Sequence, residues 1–229
     1  MIIPIRLKLS NAYLIAGDRP VLVDTGSPGE TNKIAQALAQ AGVALPDLAL
    51  IVHTHGHGDH AGSTRELQQR SGAPVAIHPA DGELLRLGRK APLTPTRFTG
   101  RVMRPLVNMP FAGVEADLWL EDGQSLAAYG VPGRVIHTPG HTAGSISLLL
   151  DNGQAIIGDL LMGGMMGGAF RPTRPGYHYF ANDLTQVQQS IHHLLSYNPT
   201  RLYVGHGGPL PPDAVRQFMA IQSPVLSYG

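Results

Sequence analysis

The sequence predicts an α/β (α+β) protein in which two β-sheets pack face to face and helices cover their outer sides. Three observations support this prediction. Both halves of the chain supply short apolar segments typical of strands together with segments of helical period, turn residues separate these segments, and no tandem repeat is visible. Because the chain has 229 residues, 43% of them hydrophobic and 14% charged, we expect one domain over residues 1–229.

The elements of the first half follow from short apolar runs and from one clear helical period. The spacing of Ile34, Leu38 and Ala41, with Gly42 as a stop signal, predicts a helix over Glu30–Ala41. The other predictions here are strands over Ile2–Leu9, Ala12–Ala16, Val21–Asp24, Leu48–His53 and Pro74–His78, and helices over Asp59–Arg70 and Pro79–Leu87.

The elements of the second half resume after an irregular stretch. Residues 89–117 hold five cations among prolines and threonines, and their weak periodicity predicts an irregular surface segment. The cations are Arg89, Lys90, Arg97, Arg101 and Arg104, and the group of Arg97, Arg101 and Arg104 is interpreted as solvated rather than as a site for an anionic substrate. Residues 160–181 are rich in Gly, Met, Tyr and Pro, which predicts a loop. The other predictions are strands over Asp117–Leu120, Arg134–Thr138, Ser145–Leu150, Ala155–Gly158 and Arg201–Val204, and helices over Leu184–Leu195 and Pro212–Ile221.

The composition restricts the compartment and the partners. The net charge of +1 favours neither nucleic acid nor an anionic membrane. No apolar run approaches the roughly 20 residues of a membrane span, and the N-terminus lacks the features of a secretory signal. We therefore expect a cytoplasmic protein that acts on a small-molecule substrate, without nucleic-acid or membrane partners, and a homodimer stays open. The absence of cysteine excludes disulfides and thiolate ligands.

Three histidines and one aspartate lie close together in the first half of the chain and are separated by glycines. Imidazole and carboxylate groups are ligands that suit zinc, iron or manganese. Histidines two positions apart point the same way only in an extended segment, and the glycines permit the turn that follows. One metal rarely takes four ligands from so short a segment, so we expect two divalent metal ions, Zn in the first place, with Fe or Mn as alternatives. The four residues are His55, His57, Asp59 and His60.

Three later segments share one form, a predicted strand that ends at a polar residue flanked by glycine. They contribute His141, Asp159 and His206. Together with the first cluster they give five histidines and two aspartates, which suffices for two ligand sets with Asp159 as a bridge. His53 continues the spacing of two upstream of His55 and is interpreted as a strand-end residue.

The motif His55-x-His57-x-Asp59-His60, followed by His141, Asp159 and His206, resembles the metallo-β-lactamase-fold hydrolases. Leu22-Val23-Asp24-Thr25-Gly26 matches the first motif of that superfamily. The resemblance, strongest to its glyoxalase II and lactonase-like branch without a glutathione-binding C-terminal domain, implies an αββα four-layer sandwich. It also implies one metal on His55, His57 and His141, a second on Asp59, His60 and His206, Asp159 as the bridge, and Asp24 behind a ligand imidazole.

The expected reaction is hydrolysis of a small ester, thioester or lactone. Two divalent ions would keep a residual positive charge after Asp59, Asp159 and a hydroxide, and hydroxide is available because a bound water has its pKa lowered to about 7. Attack of that hydroxide on a carbonyl is therefore the prediction. Tyr177 or Tyr179 is a candidate hydrogen-bond donor to the developing oxyanion. The candidate catalytic residues are Asp59, Asp24, Tyr177 and Tyr179.

Two alternative reactions stay open on the same scaffold. One is that of a phosphodiesterase or nuclease, which the near-neutral charge disfavours. The other is that of a mononuclear-iron persulfide dioxygenase, which would use His55, His57 and one more ligand. The segment Leu160-Leu161-Met162-Gly163 lacks the Tyr that the resembling acyl-homoserine lactonases carry shortly after the bridging Asp. Met162, Met165 and Met166 are interpreted either as an adaptable pocket wall or as ordinary core.

Overall fold

Six strands form the first sheet in the order in which they occur along the chain. The computed structural model describes residues 1–89, 93–107 and 109–222, so Lys90 of the predicted irregular segment lies outside the described residues. The strands are β1 (Ile2–Arg6), β2 (Asn11–Ile15), β3 (Val21–Val23), β4 (Leu50–Val52), β5 (Val75–Ile77) and β6 (Leu118–Trp119). β1, β2 and β3 are antiparallel, whereas β4, β5 and β6 add in parallel.

A second sheet of four strands faces the first. Its strands are β7 (Gly133–His137), β8 (Ile146–Leu150), β9 (Gln154–Ile156) and β12 (Arg201–Tyr203), in the order β12-β9-β8-β7. β7, β8 and β9 are antiparallel neighbours, and β12 lies parallel to β9 with Tyr203 opposite Ile156. A separate hairpin consists of β10 (Met162–Met165) and β11 (Phe170–Gly176).

Helices connect the parallel strands and lie on the outer side of each sheet. The longest, α6, begins after Asp183, whose carboxylate accepts a hydrogen bond from the backbone N–H of Gln186 at 3.0 Å. α3 ends at Gly72, where φ is +73° and a side chain would be strained. The helices are α1 (Thr31–Gln40), α2 (Gly58–Ala61), α3 (Thr64–Ser71), α4 (Gly82–Leu87), α5 (Phe98–Val107), α6 (Leu184–Ser196) and α7 (Pro212–Gln222).

The buried side chains form three layers, as the alternation of residues along each strand requires. Val21 and Val23 of β3 point between the sheets, where they meet Leu148 of β8, and Leu22 points to the opposite side with Leu38 of α1. The outer face of the second sheet packs against α6 and α7. The result is an α/β/β/α sandwich, the four-layer fold that the resemblance implies.

The two sheets are joined at the edge where the predicted ligands lie. The N–H of Asn11 donates to the carbonyl of Gly205 at 2.7 Å, and the Tyr13 hydroxyl donates to the carbonyl of Val204 at 2.6 Å. On the other side, the N–H of Ile146 donates to the carbonyl of Thr54 at 2.9 Å. The first two bonds hold the segment after β12 to β2 of the first sheet. The third bond holds the segment after β4 to β8 of the second sheet.

Two segments expected to be irregular contain regular structure. The stretch 89–117 includes α5, and the stretch 160–181 includes the β10–β11 hairpin. The hairpin escaped prediction because Gly163, Gly164, Pro172 and Pro175 are poor strand formers, and because its pairing contains a bulge between Gly163 and Met165. The β10–β11 hairpin is formed by pairing of its strands, and β11 has no buried apolar face that the sequence pattern could reveal.

The helix predicted over Asp59–Arg70 is divided into α2 and α3. The break lies at Gly62 and Ser63, where the N–H of Gly62 donates to the carbonyl of Gly26 at 2.8 Å and the Ser63 hydroxyl donates to the carbonyl of Ser27 at 2.6 Å. A side chain at Gly62 would meet the backbone of Pro28. Close docking against the loop after β3 therefore interrupts the helix.

None of the helices in the described part of the chain has both the length and the apolar character that crossing a membrane requires.

Candidate metal centre

The seven predicted ligands come from four segments that each follow a strand. The first cluster follows β4, and His141, Asp159 and His206 follow β7, β9 and β12. The structure brings all seven together, and six of them are buried, whereas Asp59 is partly exposed. Residues from both halves of the chain, up to 151 positions apart (206 minus 55), thus share one site.

His55, His57 and His141 form one potential metal site. One ring nitrogen from each lies within 4.8 Å of the other two. Nδ1 of His57 is 3.0 Å from Nε2 of His141. The rings of His55 and His57 stand edge to face, with centroids 4.8 Å apart. This geometry matches the first predicted ligand set.

Asp59, His60 and His206 form a second potential site beside the first. Their ligand atoms also lie within 4.8 Å of one another, and Nε2 of His206 is 3.5 Å from an oxygen of Asp59. Asp59 and His60 are adjacent in the short helix α2, and their side chains converge on the site, with Nε2 of His60 3.9 Å from an oxygen of Asp59. This geometry matches the second predicted set.

Asp159 lies between the two sets. Its Oδ2 is 3.5 Å from Nε2 of His141 and 3.3 Å from Nε2 of His206, and its Oδ1 is 3.4 Å from Nε2 of His60. A carboxylate within reach of ligands from both sets is positioned to bridge two ions.

Hydrogen bonds outside the site orient four of the ligand imidazoles. Nδ1 of His60 donates to the carboxylate of Asp24 at 2.9 Å, Nδ1 of His141 to the carbonyl of Phe180 at 2.9 Å, and Nδ1 of His206 to the carbonyl of Leu9 at 2.7 Å. Nδ1 of His55 lies 3.1 Å from the Thr54 hydroxyl. A neutral imidazole that donates from Nδ1 presents the lone pair of Nε2 to the site, so these four rings are prepared for a metal.

The polar atoms that face the centre of the site lack protein partners. In the described part of the chain, six buried side-chain nitrogen or oxygen atoms have no hydrogen-bond partner, and four of them are Nε2 of His55, His60 and His206 and Oδ1 of Asp159. Buried polar groups are normally satisfied, so four convergent polar atoms without protein partners indicate a cation site. The histidine and aspartate donor set fits divalent metal ions.

The first ligand set stays unprotonated at neutral pH. Burial and the neighbouring His141 lower the pKa of His57 to about 3. Burial, with His60 and His141, holds the pKa of His55 well below its usual value, and burial also lowers the pKa of His141. Neutral imidazoles are the form that binds a metal.

The second set holds protons when no metal is bound. Burial opposes the charged form of His60, but the carboxylates of Asp159, Asp24 and Asp59 raise its pKa well above the usual value. The pKa of His206 is raised against burial by Asp159 as well. Although burial favours the protonated acid, His206, His178 and His60 hold the pKa of Asp159 well below its usual range. Protons therefore compete with a second ion for His60 and His206.

Two buried aspartates support the site without facing it. Asp24, predicted for this role, accepts hydrogen bonds from the backbone N–H and the hydroxyl of Thr54 and from His60. Asp81 was missed in the sequence. It accepts from the N–H of Gly56 at 2.8 Å, the hydroxyl of Thr142 at 2.7 Å and the N–H of Gly144 at 2.9 Å. Asp81 thus ties the loop of His55 and His57 to the loop of His141.

A cavity of about 460 Å³ opens above the ligands. His57, Asp59, Asp159 and His206 contribute to its lining, and the rest of its wall combines apolar side chains with Arg6, Lys8, Ser10 and Asn11. Of the three methionines considered as a wall, Met162 and Met166 line the cavity, whereas Met165 lies outside its lining. The apolar lining consists of Leu7, Leu9, Leu93, Met103, Val107, Met109, Met162, Met166 and Phe180.

Tyr177 and Tyr179, the two tyrosines predicted as candidate hydrogen-bond donors to the substrate, occupy different places in the structure. Tyr177 lies outside the lining of this cavity, and its hydroxyl accepts a hydrogen bond from Gln188 at 3.0 Å. Tyr179 lines the cavity, with its ring 4.3 Å from the guanidinium carbon of Arg97. The exclusion of Tyr177 corrects one of the two tyrosine candidates, because its side chain packs between Phe218 and α6 instead.

His178 is the residue of this segment that reaches the ligands. Its Nε2 lies 3.4 Å from Oδ2 of Asp159, and burial lowers its pKa to about 3. The sequence did not predict His178 as a site residue. It stands alone between Tyr177 and Tyr179, without a second histidine or an aspartate at the spacing of a metal-binding motif. The arrangement of the chain around Phe180 brings it to the cavity.

Comparisons with known proteins agree with this geometry. The pattern of the metallo-β-lactamase superfamily matches residues 5–206. A Methanocaldococcus jannaschii protein named "Probable metallo-hydrolase" is 30% identical over 202 residues, covering 86% of this chain and 87% of that protein. The β-lactamase-like protein 2 homolog of Caenorhabditis elegans is 29% identical over 210 residues; the match covers 89% of this chain and 58% of that longer protein.

A solved structure extends the comparison to three dimensions. TTHA1623 in a di-iron-bound form is similar with a TM-score of 0.67 and 28% sequence identity, covering 94% of this chain and 97% of that one. The match of the family pattern spans most of the chain, and its end coincides with His206, the last ligand. The chain belongs to the metallo-β-lactamase superfamily and is a metal-dependent hydrolase.

Proposed function

We propose that this protein is a dinuclear hydrolase of small esters, thioesters or lactones that carry an apolar acyl group. The observation that carries the proposal is the position of Asp159, within 3.5 Å of His60, His141 and His206 and hence of both ligand sets, at the floor of a cavity whose wall is apolar in part. We expect zinc as the metal. Iron is the alternative, since a similar solved structure is in a di-iron-bound form.

The metals would supply the nucleophile and the electrophile. Two divalent ions on these ligands would lower the pKa of a bound water to about 7 and polarise a carbonyl oxygen. The chain's own contribution is to hold the ligand atoms in place through the Nδ1 hydrogen bonds of His60, His141 and His206. Asp59 and Asp159 supply the two carboxylates that reduce the charge of the site.

The cavity wall supports an apolar acyl group. A volume of about 460 Å³ is within the range of roughly 300–1,000 Å³ typical of small-molecule sites. Leucine, methionine and valine side chains offer no hydrogen bonds to a polar substrate. Each methylene group that enters the cavity is expected to contribute about 0.8 kcal/mol, or about a fourfold gain in kcat/KM.

The test begins with metal analysis of the purified protein, followed by p-nitrophenyl esters from acetyl to decanoyl, thioesters, lactones and phosphodiesters. We expect two metals per chain and a kcat/KM that rises with acyl length until the cavity is filled. Cleavage of phosphodiesters alone would refute carbonyl chemistry. One iron per chain with oxygen uptake on glutathione persulfide would favour the dioxygenase.

A pair of neighbouring residues on α5 tests the cavity itself. Met103 lines it, whereas Val102 is 58% exposed and lies outside the lining. We expect Met103→Trp to shift the preference to shorter acyl chains and Val102→Trp to leave the chain-length profile unchanged. An identical profile in both variants would place the acyl group elsewhere.

A further inference from the structure

We propose that His178 is a further catalytic residue, which donates a hydrogen bond from Nε2 to the carbonyl oxygen of the substrate. The inference rests on the hydrolysis of a carbonyl substrate proposed above. His178 lies immediately after Tyr177 in the segment that follows β11, and its side chain is 10% exposed, at the cavity.

The His178 ring contacts ligands of both sets. It is stacked on His206, with centroids 5.0 Å apart and planes at 28°, and stands edge to face with His141 at 4.8 Å. Its Nε2 is 3.4 Å from Oδ2 of Asp159, the residue between the sets. A substrate carbonyl held over Asp159 would therefore meet this nitrogen.

The backbone of Phe180 determines where the imidazole carries its proton. The N–H of Phe180 points to Nδ1 of His178 at 3.3 Å, and Phe180 is 4% exposed. The carbonyl of Phe180, 3.2 Å from the same Nδ1, already accepts from Nδ1 of His141 at 2.9 Å. A proton on Nδ1 of His178 would leave the buried Phe180 N–H without an acceptor, which costs free energy. We therefore assign the proton to Nε2 from this network.

A proton on Nε2 also makes His178 a hydrogen-bond donor and not a metal ligand. Nε2 of His178 also lies within 4.8 Å of ligand atoms of His141 and Asp159, so distance alone would permit metal binding. A ligand nitrogen needs a free lone pair, and a protonated Nε2 has none. The hydrogen bond from Phe180 thus favours donation to an oxygen.

The step that His178 assists is charge development on the carbonyl oxygen. As the attacking oxygen forms its bond to the carbonyl carbon, the π electron pair moves to the carbonyl oxygen, where the Nε2–H stabilises it. The pair returns when the bond to the leaving group breaks; the leaving group departs with the electrons of that bond and takes its proton from the added water, and no proton leaves His178. Tyr177 or Tyr179 was predicted for this role; Tyr177 lies outside the lining of the cavity, whereas Tyr179 lines it beside His178.

The experiment compares His178→Phe, which keeps a ring and removes the donor, with His178→Gln, which keeps an N–H. We expect His178→Phe to lower kcat by about 10²–10³-fold, the usual effect of one oxyanion donor, with little change in KM. We expect His178→Gln to recover part of this loss and both variants to bind as much zinc as the unmodified protein. His192→Phe, the same substitution at an exposed position of α6, is the matched control.

A second measurement reports on His178 without catalysis. In ¹⁵N-histidine NMR of the zinc-loaded protein, we expect the His178 proton on Nε2. A proton on Nδ1, reduced zinc content in His178→Phe, or an unchanged kcat in that variant would each overturn the proposal. If the unmodified protein cleaves no carbonyl substrate, the proposed function fails by itself, and the site of the His178 proton and the zinc content still decide between donor and ligand.

Discussion

Oδ2 of Asp24 lies 2.9 Å from Nδ1 of His60, and this contact fixes which nitrogen of His60 faces the ligand cluster. Asp24 is 1% exposed and also holds the backbone N–H and hydroxyl of Thr54, the residue before His55. Its φ of +61° is unusual for a residue other than glycine. One carboxylate therefore orients His60 directly and anchors the chain next to His55.

Replacing the Asp24 carboxylate by an amide is expected to weaken metal binding. In Asp24→Asn, one oxygen acceptor becomes an N–H₂ group that opposes the N–H donors of Thr54 or His60. Metal affinity should fall by about 10–100-fold, as for other residues behind metal-bound histidines. Chelator competition measures this, with exposed Asp18→Asn as the control. A dissociation constant within threefold of that of the unmodified protein would contradict the role of Asp24.

The two ligand sets are expected to lose metal at different pH values. The pKa values of His60 and His206 are raised above the ordinary value of 6.5, so protons compete with a metal at this set already at neutral pH. The pKa values of His55, His57 and His141 are lowered, so this set stays free of protons to a lower pH. As the pH falls, the ion on Asp59, His60 and His206 should dissociate first.

Equilibrium dialysis at a series of pH values, followed by metal analysis, checks this order. We expect a step from two metals per chain to one on acidification. In His206→Ala, which retains the first set, the remaining metal should show no loss over the pH range of that step. Simultaneous loss of both ions would show that the sets titrate as one unit.

Much of the site could be predicted from the sequence because its ligands follow strands. A strand that ends at a glycine-flanked histidine or aspartate is a local signal, and His55, Asp159 and His206 all have it. Asp81 has no such signal, since its partners Gly56 and Thr142 lie 25 and 61 positions away. Likewise, the run from Tyr177 to Phe180 does not show which ring faces the cavity, because that depends on the hairpin before it.

The contacts of Asp81 predict that a residue outside the ligand set controls both stability and metal affinity. Asp81→Asn retains one acceptor and turns an N–H₂ group toward the donors of Gly56, Thr142 or Gly144. We expect a loss of about 2 kcal/mol in the free energy of unfolding, since hydrogen bonds to a charged group contribute about 1.5–3 kcal/mol each. Zinc affinity should fall as well, because the loops of His55 and His141 are no longer joined.

Thermal unfolding of the metal-free protein separates these two effects for Asp81. The loss of stability should persist without metal, whereas a residue that acts only through the metal would show none. Asp151→Asn in an exposed turn provides the control. Equal melting temperatures for Asp81→Asn and the unmodified metal-free protein would show that Asp81 is not a structural tie.

Gly205, next to His206, is expected to tolerate no side chain because of Asp159. Its φ is outside the left-handed region, so the backbone itself would accept alanine. However, an added Cβ would lie 2.0 Å from Oδ1 of Asp159 and 2.6 Å from Cε1 of His60. The backbone cannot move away, since the Gly205 N–H donates to Gly158 at 2.8 Å and its carbonyl accepts from Asn11 at 2.7 Å.

The steric conflict at Gly205 therefore has to be relieved by displacement of Asp159, with a smaller shift of His60. Gly205→Ala should lose the bridging carboxylate, and with it metal and activity, whereas Gly176→Ala, where an added Cβ meets nothing within 4 Å, should behave as the unmodified protein. A double-mutant cycle identifies the cause, because contacting residues are not additive. In an Asp159→Ala background, the part of the stability cost of Gly205→Ala that comes from Asp159 should disappear, and the part from His60 should remain. A cost that is the same in both backgrounds would place the whole conflict at His60 or in the backbone instead of at Asp159.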